Sequence, residues 1–199
     1  MIPTEREQRQ VARLDSYALN GKANRNIPTT YYSQRNNYTM PNRTCNSSSN
    51  AMYLNWLRLA TGREKLGGDD GYLRKVLSHG DTIYHSVQTQ SLKDYGFTTQ
   101  WNETGDEDSE RDGNIDYIKG LIALGFPVVV NILHRGDISA PRGGHVIMLA
   151  GYLKDSKEFL AQDPYGTLQS NYQDTNGTLS TISNHEFYTR WQGGFRTLA

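Results

Sequence analysis

Residues 40–59 read Met40-Pro41-Asn42-Arg43-Thr44-Cys45-Asn46-Ser47-Ser48-Ser49-Asn50-Ala51-Met52-Tyr53-Leu54-Asn55-Trp56-Leu57-Arg58-Leu59. A loop gives way here to a helical pattern. Ala51, Leu54, Leu57 and Leu59 recur at roughly helical spacing from Asn46 onward, and Ser47 to Ser49 offer cap oxygens. Cys45, the only cysteine of the chain, therefore falls where the loop meets the helix start. A thiol at that position feels the positive end of the helix dipole, which favours the nucleophilic thiolate. The backbone N–H groups that follow it are suited to holding a developing oxyanion. A lone cysteine is more often a small buried hydrophobe, but the polar flanks fit a core position poorly.

The second informative stretch is Gly143-Gly144-His145-Val146-Ile147-Met148-Leu149-Ala150-Gly151-Tyr152, which reads as a strand over 144–152. Strands are predicted on either side of it, over 127–133 and 158–162. Close sequence spacing favours antiparallel pairing of neighbours. His145 opens the middle strand. Asp163 closes the next one, eighteen residues later, in the turn Asp163-Pro164-Tyr165-Gly166. Antiparallel neighbours place the start of one strand beside the end of the next. Asp163 can then accept the imidazole N–H of His145 and fix its tautomer. Taken singly, His145 reads as an edge histidine and Asp163 as a turn residue. Cys45, His145 and Asp163 support one another as nucleophile, base and orienting acid.

Around these stretches the pattern is helices first and sheet second, an α+β architecture. Thr4-Glu5-Arg6-Glu7 forms a capping box for a polar helix that ends near Asn20-Gly21, and residues 22–30 form a link. Two short helices are expected between Gly71 and Tyr95, and a short strand over 98–101. A solvated acidic loop is expected over 105–113, followed by a helix over 115–124 capped by Asn114. A last helix is expected over 185–191.

The order Ile27-Pro28 through Tyr32-Ser33-Gln34, then Cys45 and an Ala-Met-x-Leu helix, resembles the bacteriocin-processing (double-glycine) peptidase-like family of papain-like cysteine peptidases. Gly144-His145-Val146, Gly151-Tyr152 and Asp163-Pro164-Tyr165-Gly166 match the second half of that pattern. Phe187 and Trp191 resemble its closing helix. The resemblance covers residues 27 to 193. It implies a papain-like fold, with a helical part carrying the nucleophile packed on an antiparallel sheet carrying His and Asp. It divides the chain into an N-terminal polar helix and link, 1–26, and a peptidase domain, 27–199. It also implies that Gln34 donates its side-chain amide to an oxyanion hole beside the backbone N–H of Cys45. Asn46 stands where the family commonly has glycine, and Arg43 lies close to the nucleophile; both reshape the substrate subsites.

Composition narrows the function further. Lys+Arg and Asp+Glu are 21 each, so no basic excess points to nucleic acid. One cysteine excludes an internal disulfide and any zinc site built on several thiolates. The segment Asp108 to Ile115 imitates a calcium loop, but Lys119 stands where a bidentate Glu is required. His79 and His85 do not share a helical face, and His134 and His185 lack partner motifs. No cofactor or metal is expected. The charged N-terminus carries no signal peptide and no stretch approaches a membrane span, so a soluble monomer, cytoplasmic on synthesis, is expected. The leading expectation is a cysteine hydrolase of peptidoglycan stem peptides, a phage endolysin released to the cell wall at lysis. A protein-processing peptidase acting on a leader or virion protein is the alternative, and a non-catalytic binding domain of the same fold is the third.

Overall fold

The computed structural model describes residues 25–105 and 107–199; the helix expected over 4–20 lies outside them. Five α-helices are described: α1 Cys45–Ala60, α2 Asp70–His79, α3 His85–Asp94, α4 Asp108–Ala123 and α5 Asn184–Arg190. The strands are β1 Arg25–Asn26, β2 Thr99–Glu103, β3 Val128–Arg135, β4 Arg142–Leu153, β5 Glu158–Gln162, β6 Ser180–Ser183 and β7 Trp191–Leu198. They form one antiparallel sheet in the order β2-β7-β3-β4-β5-β6, with β1 added to β4.

The apolar runs of β3 and β4 are continuous because both faces of the sheet are covered. Successive side chains of a strand point to opposite faces. Val128, Val130, Ile132, Ile147 and Leu149 accordingly pack with Ile118, Leu121 and Ile122 of α4 and with Phe187 of α5. Val129, Val146 and Met148 pack with Ala51, Leu54 and Leu57 of α1 and with α2 and α3. The helical part thus lies on one face of the sheet, and β4 is its main partner. A polar tie fixes the relative position of the two halves: Ser49 Oγ in the first turns of α1 donates to the Val146 carbonyl, 2.9 Å.

Several local expectations are corrected. α4 begins at Asp108, not at Ile115, so residues 108–113 are helix rather than acidic loop. Asp108 and Glu110 lie in its first turn, where negative charge complements the dipole, and Glu110 Oε1 accepts the Gly105 N–H at 3.0 Å. Asn114 is inside the helix. Ser47 to Ser49 do not cap α1; Thr44 precedes it, and the serines point inward and are buried. The last helix ends at Arg190, where Trp191 begins β7, a strand not expected from WQGGFRTL. Glycine is needed there because a Cβ at Gly194 would run into the Trp101 ring. β6 was likewise not foreseen.

Candidate active site

Cys45 is the first residue of α1 and is half-buried. His145 sits on β4 opposite Ile132 of β3 and is buried. Asp163 follows β5, whose Gln162 pairs with Met148, and it is fully buried. The antiparallel register brings the last two together: His145 Nε2 lies 2.7 Å from Asp163 Oδ1. Cys45 hydrogen-bonds the same imidazole, and the thiol is also approached by the backbone N–H groups of Val146 and Asn46. With Nε2 turned to the carboxylate, Nδ1 is left for the sulfur.

The electrostatics are those of a thiolate–imidazolium pair. Burial pushes the Cys45 thiol up, but the hydrogen bond to His145, its charge and the two N–H groups outweigh burial and bring the thiol down. Burial likewise pulls the His145 imidazolium down. The Asp163 carboxylate, the hydrogen bond to it and the Cys45 contacts prevail and raise its pKa to about 10. Asp163 is fixed in turn: its Oδ1 accepts the Tyr165 N–H at 2.9 Å, its Oδ2 accepts the Tyr172 hydroxyl at 3.2 Å, and its own N–H donates to the Gly177 carbonyl.

Gln34 opens a short 3-10 turn, Gln34–Asn36, whose first N–H donates to the Pro164 carbonyl. The side chain is buried. Its Nε2 donates one hydrogen to the Pro41 carbonyl at 2.8 Å, within the loop that leads to Cys45, and Oε1 has no partner. Gln34 is thus held between the Asp163 turn and the loop before Cys45, but it does not line the cleft over Cys45. Asn37 Nδ2 reinforces the same corner through Thr44 Oγ1, 2.8 Å, and Ser48 Oγ, 3.0 Å. Ser48 passes the chain on to Asp69.

A cleft of about 340 Å³ opens over Cys45 and His145. Arg43 borders it, tied to Asp81 at 2.6 Å. So does Asn46, whose Nδ2 donates to the Ile83 carbonyl. His85 belongs to this cleft and not to the outer surface. It stacks on Trp101 with centroids 3.5 Å apart, and burial, helped by the buried Arg196, brings its pKa down to about 4. Asn131 and Gln192 complete the wall. His134 stacks on His145 at 4.6 Å; burial and the neighbouring imidazolium hold its pKa at about 3, so it is neutral where His145 is charged. His85, His134 and Tyr172 carry no sequence motif, and only the fold brings them here. Among the described residues no cluster has the makings of a metal site.

The model of the Peptidase_C39 like family matches residues 26–194, and the chain belongs to that family. Solved structures of similar fold include the peptidase domain of Streptococcus ComA, a bifunctional ABC transporter involved in a quorum-sensing pathway. It is 15% identical, with a TM-score of 0.50 over 88% of this chain and 97% of that one. Xylellain, a cysteine protease from Xylella fastidiosa, is 11% identical, with a TM-score of 0.51 over 90% of this chain and 87% of that one. No curated protein matches the chain. The fold is that of papain-like cysteine peptidases of this family, and no helix among the described residues is long and apolar enough to cross a membrane.

Proposed function

We propose that the protein hydrolyses peptide bonds through Cys45, with His145 as the acid–base group and Asp163 as its orienting partner. The observation that carries this reading is the continuous chain from the Cys45 thiol through His145 to the buried Asp163 carboxylate. The thiolate attacks the scissile carbonyl, and the oxyanion forms at the start of α1, near the Cys45 N–H. The imidazolium gives its proton to the leaving amine. Water, deprotonated by the now neutral His145, then hydrolyses the thioester. Asp163 holds the ring in the productive tautomer throughout.

The substrate within this reading is a short peptide, and we place bacterial wall stem peptides ahead of a protein leader. The experiment is digestion of purified walls beside a proteome-derived peptide library, by the parent and by Cys45→Ala, read by mass spectrometry. New amino termini in the stem or cross-bridge support the wall substrate; cuts confined to the library move the reading to a processing peptidase. Cys45→Ala is expected to lose several orders of magnitude, because triad members act as a unit. Equal cleavage by both proteins would remove Cys45 as nucleophile.

A further inference from the structure

A second cleft, of about 1080 Å³, is lined by neighbours of His145 and Asp163. His134, stacked on the catalytic imidazole, forms part of its wall, and so does Tyr165, two residues beyond Asp163. Arg35, Arg135 and Arg142 also line it. Their charges are not neutralised: among the described residues none of the three lies within 4.0 Å of a carboxylate. The fourth arginine of the wall, Arg190, is committed to Glu186 at 3.0 Å and to the carbonyls of Leu133 and Gly136. Asp137 is then the one carboxylate left at this cleft against three guanidinium groups.

The placement of the arginines is set by the fold. Arg135 and Arg142 are directly opposed across the β3–β4 pair. Like charges opposed in this way destabilise a sheet, so an anion between them relieves a repulsion built into the hairpin. Arg35 is steadied by its Nε bond to the Tyr165 carbonyl, 2.6 Å, and lies 3.8 Å over the Tyr165 ring. Its two terminal nitrogens remain to form a fork that matches a carboxylate.

Resting on the peptidase reading above, we propose that this cleft is the leaving-group side of the substrate site and selects peptides bearing carboxylates just beyond the scissile bond. The direction follows from the chemistry. His145 must protonate the leaving amine, so that half of the substrate lies on the imidazole side, and the acyl half lies over Cys45 and Asn46. An extended chain advances about 3.4 Å per residue, so about the second to fourth residues past the cut come within reach of the arginines.

Two measurements separate this proposal from the reading it rests on. In the library digest, Asp and Glu are expected to be enriched at those positions, and the Arg135→Glu/Arg142→Glu variant is expected to lose the enrichment. Both arginines are exposed, so the fold tolerates the change. If nothing in the library is cut, the peptidase reading fails, and the cleft is judged by binding alone. For that, Cys45→Ala is titrated by calorimetry with the peptide Gly-Asp-Glu-Glu and with Gly-Asn-Gln-Gln. The acidic peptide should bind about tenfold tighter at low salt, with the advantage lost in the double variant and at high ionic strength. Equal affinity of the two peptides, or an advantage untouched by the double variant, overturns the proposal.

Discussion

Asp163 accepts hydrogen bonds from His145, from the Tyr165 N–H and from the Tyr172 hydroxyl, and is itself fully buried. The Asp163 carboxylate held by these donors is what raises the His145 pKa against the pull of burial. Gln34 is built differently. One of its two amide hydrogens is spent on Pro41, which fixes the amide orientation, because exchanging oxygen and nitrogen would set two carbonyl oxygens against each other. Gln34→Ala removes the donor to the Pro41 carbonyl and is therefore expected to loosen the loop that leads to Cys45, lowering the turnover number more than it changes KM. Steady-state kinetics check this. A loss confined to KM would make Gln34 a substrate-positioning residue.

At the scale of elements, the site depends on close approach of the segment after β5 to the chain that precedes β6. Gly177 accepts the Asp163 N–H and receives the Tyr31 hydroxyl as its own acceptor, and a Cβ on it would run into the Asp163 carbonyl oxygen. Gly177→Ala must push the Asp163 turn away. It is expected to cost about 1–3 kcal/mol of stability, as overpacking does, and to lower activity further than that loss of fold explains. Denaturant melts beside kinetics at matched folded fraction test it; an active, fully stable variant would mean that the turn tolerates movement. This dependence could not be read in the sequence, where Gly177 sits in an unremarked polar stretch. The strands carrying His145 and Asp163 were legible because their apolar runs are long and their order is local. β7 was not, because its signal is broken by Gly193-Gly194, the first at positive φ beside Thr104 and the second packed against Trp101. The start of α4 was hidden because its acidic first turn reads equally as solvated loop.

At the scale of the molecule, two halves on opposite sides of one bond network must meet within a hydrogen bond: α1 brings the thiol, the sheet brings His145 and Asp163, and Ser49 locks them in register through Val146. Cys45 and His145 stand out in the sequence because one opens a helix and the other lies near the start of a strand, both elements of clear type. His85, His134 and Tyr172 could not, since their roles come from packing between distant segments. The central claim is that this meeting produces a thiolate–imidazolium pair. The sign is fixed by the two shifts: the thiol is lowered and the imidazolium is raised to about 10, so the pair exists from the acidic side of the free-thiol range up to the pH at which His145 loses its proton. The most direct measurement is the rate of Cys45 alkylation by iodoacetamide as a function of pH, in the parent and in His145→Ala. The parent should label rapidly well below the free-thiol pKa of about 8.5, and His145→Ala should label only as pH rises through that value. A single titration near the free-thiol value in both proteins would contradict the account.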